Sequence, residues 1–231
     1  MARLALLAPL ALVVITGAGA TPRGVEVDRL PTRAKLVALT FDAGADAAGA
    51  ERILSALARR RAAATFFLTG RWVQRYPRLA RRIGRRYAVA NHTWSHSRMT
   101  PLSSSEVRKE IRRAEWWIRA GTGRDPRPLF RFPYGDRDAR TIAIANSLGY
   151  TSVRWSLDTW GWMGTSGGMS AGAVQRRVAT RLRPGDILLL HVGGGRDGSM
   201  LDTRALPDVL RQIERRGYRF ATLERFVSAP R

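Results

Sequence analysis

Residues 35–46 read KLVALTFDAGAD. The stretch 36–41 is apolar apart from one threonine, and so short an unbroken run suits a strand buried on both faces. It ends directly on a carboxylate, Asp42, and Gly44 permits a tight turn out of the strand. A strand that stops on an acid informs both the fold and the chemistry. In parallel α/β architectures, functional side chains collect at the C-terminal ends of the strands.

Working outward, runs of the same kind occupy 64–68, 88–90, 129–132, 151–155 and 187–190, and a shorter one, 219–222, follows the Gly217-Tyr218 turn. Helix-like stretches lie between them. Residues 50–60 place apolar side chains at 53, 54 and 57. Residues 104–117 open on serines followed by Glu106, a helix-cap pattern, and set Val107, Ile111 and Ala114 on one face. Residues 141–148, 173–182 and 206–215 follow the same style, with Gly149 and Gly217 where helix stops belong. Alternation of strand and helix predicts an α/β fold, a parallel sheet or barrel with helices outside. Asp42, His92, Arg131, Asp158 and His191 each follow an apolar run, which places them together at one end of one sheet.

Composition sets limits. A chain of 231 residues is one domain with room for small appendages. It contains no cysteine, which excludes disulfides, thiol catalysis and cysteine-based zinc sites. The formal net charge is +22, nearly all of it arginine, with Lys35 and Lys109 the only lysines. Basic clusters at 59–61, 81–82, 85–86 and 215–216 are scattered, and no nucleic-acid-reading motif accompanies them. Nucleic acid is therefore not an expected partner, whereas anionic cell-envelope polymers are.

The opening MARLALLAPLALVVITGAGA supports that choice. One charge, Arg3, precedes an apolar run over 4–15, and Ala18-Gly19-Ala20 is a small-x-small pattern of the kind a signal peptidase cuts. The expectation is a signal peptide over 1–20, cleaved after Ala20 to leave no stable membrane span; a retained anchor is the competing reading. A linker or N-terminal extension follows over 21–34, and the domain spans 35–231. The protein is then secreted and cell-wall associated.

Beside the stretch that ends on Asp42, the chemistry gathers in four motifs. NHTWSH at 91–96 holds two of the three histidines, and imidazoles four apart can face one divalent cation such as zinc. FRFPYG sends Arg131 out of a strand with Tyr134 following, SLDTWGW sets Asp158 among aromatics, and LLLHVGGG ends a buried run on His191. Each has a bland alternative when taken alone. Asp42 is an ordinary helix cap, His191 a core histidine, and Arg131 with Asp158 a structural ion pair. Their convergence at strand ends of one sheet favours a site.

Read in order, LTFDAG, ATFFLTG, NHTWSH, RFPYG, SLDTWGW and ILLLH resemble the polysaccharide deacetylase family, the NodB-homology domain of carbohydrate esterase family 4. RWVQRYP at 71–77, the GY pairs at 149–150 and 217–218, and ALP at 205–207 also match, so the resemblance covers the domain. It implies a distorted (β/α) barrel and metal-dependent hydrolysis of an acetyl group on a sugar. Position by position, His92 and His96 match the metal-ligand histidines and Asp42 the general base. Arg131 matches the arginine that orients that base, and the Tyr134 backbone N–H the oxyanion donor. His191 matches the general acid, and Asp158 the acid that tunes it. Trp162 and Leu189 match positions lining the acetyl pocket.

Two positions depart from the pattern. Where the family usually carries a second aspartate after Asp42, completing the metal triad, this chain has Ala43, and Asp46 on the same loop is either a replacement ligand or a helix cap. Gly161 stands where an aspartate often precedes the tryptophan. The expected function is a secreted, metal-dependent polysaccharide deacetylase that removes N-acetyl, or O-acetyl, groups from a cell-envelope glycan such as peptidoglycan. The alternative is a degenerate member that binds glycan without turnover because of Ala43.

Overall fold

A computed structural model describes residues 26–228. The expected signal peptide over 1–20 and the first part of the extension lie outside the described residues. Among the described residues, no helix is long and apolar enough to cross a membrane.

The strands are β1 (Leu36–Ala43), β2 (Thr65–Leu68), β3 (Ala88–Asn91), β4 (Leu129–Phe130), β5 (Thr151–Ser152), β6 (Leu157–Asp158), β7 (Ile187–His191) and β8 (Arg219–Phe220). The helices are α1 (Ala50–Arg60), α2 (Gly70–Arg75), α3 (Pro77–Arg86), α4 (Ser104–Thr122), α5 (Ala139–Ser147), α6 (Ala171–Arg181) and α7 (Leu201–Arg215). The strands run parallel in the order β5-β4-β3-β2-β1-β7-β6, with β8 paired to the start of β1. β5 and β6 form the two edges of this path, so the barrel is a curled, incompletely closed one, the distorted (β/α) barrel that the sequence predicts.

Side-chain alternation on β1 divides the interior. Val37, Leu39, Phe41 and Ala43 join the cluster beneath the helices, with Ile53 and Leu57 of α1 and Leu206 and Leu210 of α7. Ala38 joins the inner cluster with Phe67, Ala90, Leu129, Val153 and Ile187. Asp42 shares the face of Ala38 and lies at its open end. Register then sets its neighbours: Asp42 is opposite Phe67 on β2 and His191 on β7. Burying each large apolar side chain of these clusters contributes roughly 1.5–3 kcal/mol.

Local signals explain most boundaries. Ser103 and Glu106 form the expected capping box of α4, and a second box, Asp138 with Thr141, starts α5. Helices α2 and α3 were not expected from the sequence. Arginines dilute the apolar pattern of RWVQRYPRLARRIGRR, yet Trp72, Val73, Ala80 and Ile83 are buried. Pro77 divides the two at a position that tolerates proline, the start of α3. α7 begins at Leu201, ahead of the expected 206, with Pro207 inside it. β6 is only two residues long, too short to show a periodic pattern.

Residues 26–34 lie against the barrel. Val27 bridges to Val153, Arg29 to Asp186, and Leu30 is buried in the inner cluster. Glu26 accepts hydrogen bonds from Arg137.

Candidate active site

Asp42 is the hub. Its Oδ1 accepts from Arg131 Nη1 at 2.6 Å, and its Oδ2 lies 3.4 Å from His92 Nε2. Arg131 is itself 1% exposed. Its Nε donates to the Val153 carbonyl at 3.2 Å and its Nη2 to the Arg154 carbonyl at 3.0 Å, while its guanidinium lies 3.9 Å from the Phe67 ring centre. A planar fork held on three edges points in one direction only, so Asp42 is oriented by it. Burial would push the Asp42 carboxyl up, but the Arg131 guanidinium, with further help from His92, reverses this and holds it below the usual aspartate value.

The histidine pair is set by its backbone. Asn91, at the end of β3, accepts from Thr93 N through Oδ1 at 2.9 Å, and its Nδ2 donates to the Ile111 carbonyl at 3.0 Å. His92 Nδ1 lies 2.8 Å from the Arg131 carbonyl, an acceptor, so Nδ1 carries the hydrogen and Nε2 keeps its lone pair. That lone pair lies on the side of Asp42 Oδ2 and is left free to meet a cation. The His96 ring meets His92 edge-on with centroids 4.9 Å apart, and its Nδ1 lies 3.2 Å from the Tyr134 hydroxyl. Burial, aided by neighbouring His92, pushes His96 down to about 3, and burial also lowers His92. Both rings are therefore neutral, the form that binds metals.

A third ligand is harder to find. Ala43 is fully buried in the outer apolar cluster. Asp46 Oδ1 accepts from Ala48 N at 2.8 Å and its Oδ2 from Gly194 N at 3.1 Å, so it ties the β1–α1 loop to the β7–α7 loop. This matches the capping alternative more closely than the ligand one, although the helix begins at Ala50 and the cap is that of a turn before it. Among the described residues, no group of three or more histidine, aspartate or glutamate side chains forms a metal cluster. The donors present fit a cation held by His92 and His96, a weaker seat than a full triad.

His191 faces Asp42 from the adjacent strand, its side chain 28% exposed. Asp202, on the first turn of α7, accepts its backbone N–H at 2.9 Å and lies 3.4 Å from its Nδ1. Burial opposes protonation of the ring, but Asp202 outweighs it, with smaller help from Asp42 and Asp158, and His191 is raised. Asp158 spends its oxygens elsewhere, accepting from Trp160 N at 2.8 Å and from Trp162 Nε1 at 3.2 Å. Its influence on His191 acts through space, and the carboxylate in contact with the imidazole is Asp202.

These groups line one cleft of about 620 Å³, walled on its apolar side by Leu189, Trp155 and Trp162. Thr93, His96, Tyr134 and Trp160 all sit at positive φ, from 59° to 69°. Left-handed backbone at non-glycine residues costs about 1–3 kcal/mol each, and four of the five such residues among those described lie in or beside this cleft, Arg61 being the fifth.

The chain matches the family model described as polysaccharide deacetylase over residues 29–153. A peptidoglycan-N-acetylglucosamine deacetylase of Bacillus cereus is 33% identical over 190 residues, covering 81% of this chain and 66% of that protein. A second protein of the same description from that organism is 30% identical, covering 87% of this chain and 92% of its own length. This chain belongs to the polysaccharide deacetylase family. Among solved structures, a carbohydrate esterase family 4 pseudoenzyme from Bacillus anthracis superposes with a TM-score of 0.80 at 27% identity, covering 90% of this chain and 70% of that one. A mutant of that pseudoenzyme with restored enzymatic activity aligns equally well.

All nine residues expected from the family pattern meet at this cleft or touch its walls. Asn91, Trp155 and Asp202 are additions. Asn91 and Trp155 sit within or beside quoted motifs but are polar or aromatic types without a chemical signature, and Asp202 lies in the first turn of α7, ahead of the helix start expected at 206. Asn91→Ala should destabilise the fold by about 2–4 kcal/mol, because Thr93 N and the Ile111 carbonyl lose a buried partner. Urea denaturation would show this as a lower midpoint with an unchanged slope.

Proposed function

We propose that the chain is an exported, metal-dependent deacetylase that hydrolyses N-acetyl groups on a cell-envelope glycan such as peptidoglycan, O-acetyl groups being the related alternative. The observation that carries this reading is the facing pair Asp42 and His191, adjacent in register and shifted in opposite directions. A glycan binder has no need of a fixed carboxylate base opposite an imidazole whose protonated form is favoured by neighbouring carboxylates.

In this reading the acetyl methyl enters against Leu189 and Trp162, which sets the carbonyl carbon between base and acid. Asp42, fixed by Arg131, takes a proton from the attacking water. The developing oxyanion is met by the Tyr134 backbone N–H. The C–N bond then breaks as the His191 imidazolium protonates the departing amine, leaving acetate and a free amino sugar. A divalent cation at His92 and His96, zinc by the chemistry of the ligands, would polarise the carbonyl and make water more acidic when bound. The strong positive charge favours residence among anionic envelope polymers.

Ala43 supports a second reading, a family member that binds glycan without hydrolysis, and the pseudoenzyme relative gives that reading a precedent. Acetate release from an N-acetylglucosamine polymer separates the two. Turnover is expected, and it should fall about 100-fold or more with chelator or in His92→Ala. Metal-replete protein that retains cell walls but releases no acetate would establish the binder.

A further inference from the structure

We infer that Asp202 is a positioning residue for His191, and that Gly161 is glycine because the Asp202 carboxylate occupies the space a side chain there would need. This rests on reading His191 as the proton donor. The geometry comes from three directions. Asp202 Oδ2 accepts the backbone N–H of His191 at 2.9 Å and lies 3.4 Å from Nδ1 of the same residue, so one oxygen addresses both the strand end and the ring. Oδ1 accepts from the Thr159 hydroxyl at 2.7 Å, which fixes the carboxylate's rotation. A Cβ built on Gly161 would fall 2.2 Å from Oδ1 and 2.5 Å from Cγ of Asp202. No neighbouring atom tolerates such contact, so any residue but glycine at 161 must displace the carboxylate.

The side chain is 4% exposed, and a buried carboxylate needs compensation of this kind. The arrangement has a consequence for the ring. A carboxylate oxygen 3.4 Å from Nδ1 favours a proton on that nitrogen by charge, which leaves Nε2 for the cleft where Asp42 and the histidine pair lie. A merely structural acid at a helix start would stabilise the α7 terminus without addressing an imidazole.

The groups facing His191 are Asp42 from β1, Asp158 from β6, Asp202 from α7, and His92 and His96 from the β3–α4 connection. Substituting Asp202 leaves the other four in place. With only three histidines, NMR can follow each imidazole separately in the purified full-length protein.

Asp202→Asn keeps the shape and removes the charge, and is expected to lower the His191 titration midpoint by about one pH unit. The alkaline limb of acetate release should move toward acid by the same amount, since activity is lost as pH rises through the pKa of the acid. Gly161→Ala touches no atom of His191, yet should shift its titration in the same direction by displacing Asp202. In the Asp202→Asn background, Gly161→Ala should add nothing, the signature of action through one residue. An unmoved His191 titration in folded Asp202→Asn overturns the inference and leaves Asp202 a helix-terminal acid. Equal shifts that add in the double variant overturn the linkage between 161 and 202. Both results are read from the imidazole, so they stand even if the protein releases no acetate.

Discussion

Arg131→Ala is expected to lose about 3–5 kcal/mol of stability and nearly all acetate release. The reasons lie in the pair's burial and in the number of contacts that depend on it. Asp42 would keep its place in a site that no longer neutralises it, and the carbonyls of Val153 and Arg154 would lose their donor. Arg131→Lys should restore little, because a single ammonium cannot reach a carboxylate and two carbonyls on different edges. The pH dependence gives a sharper reading. In the native pair Asp42 titrates below its unfolded value, so its stabilisation is present above the unfolded aspartate pKa of about 3.9 and lost as pH falls through the lower folded value. Without the arginine, burial dominates and raises the carboxyl instead. The variant should then gain stability, relative to wild type, as pH falls through the carboxylate range. Urea midpoints at a series of pH values measure this directly, and parallel wild-type and variant curves would show that the pair does not control Asp42.

Much of this site was legible in the sequence because strand ends announce themselves. A buried apolar run followed by Asp42, or by His191, needs no tertiary information to be noticed, and the parallel register brings the two side by side. The fold was legible for the same reason, since alternating runs and capping signals are local. What escaped was set by tertiary contact. Helices α2 and α3 carry too many arginines to show an apolar face, and are helical because Trp72, Val73, Ala80 and Ile83 find a core. Asp202 lies ahead of the helix expected from 206 and carries no signal of its own until the fold sets it against His191 at the end of β7. Asp158 shows the converse: the motif locates it correctly beside the cleft, but whether its oxygens face His191 or two tryptophans is decided by the conformation of the loop. Asp46 could not be placed by sequence at all, because its partner Gly194 comes from a loop nearly the whole domain away.

Ala43→Asp is expected to split stability and metal binding in opposite directions. Position 43 ends β1 with its methyl in the apolar cluster beneath the helices, on the opposite face from Asp42. A carboxylate left in that cluster is unpaired, and the metal-free variant should lose about 2–5 kcal/mol. The alternative for the new side chain is to rotate the end of the strand toward His92 and His96, which only a bound cation repays. Added zinc should therefore stabilise the variant far more than the wild type. At a concentration one hundred times its dissociation constant, a ligand that binds only the folded state contributes about 2.7 kcal/mol. Metal retained through gel filtration should rise at least about tenfold over wild type, with acetate release rising alongside it. Asp46→Ala should leave metal retention unchanged, since both its oxygens are committed to backbone N–H groups. If Ala43→Asp gains neither zinc-dependent stability nor retained metal, the pair His92 and His96 already holds all that the site can hold, and the methyl at 43 is no defect. If Asp46→Ala loses metal instead, the loop must open to let that carboxylate reach the histidines.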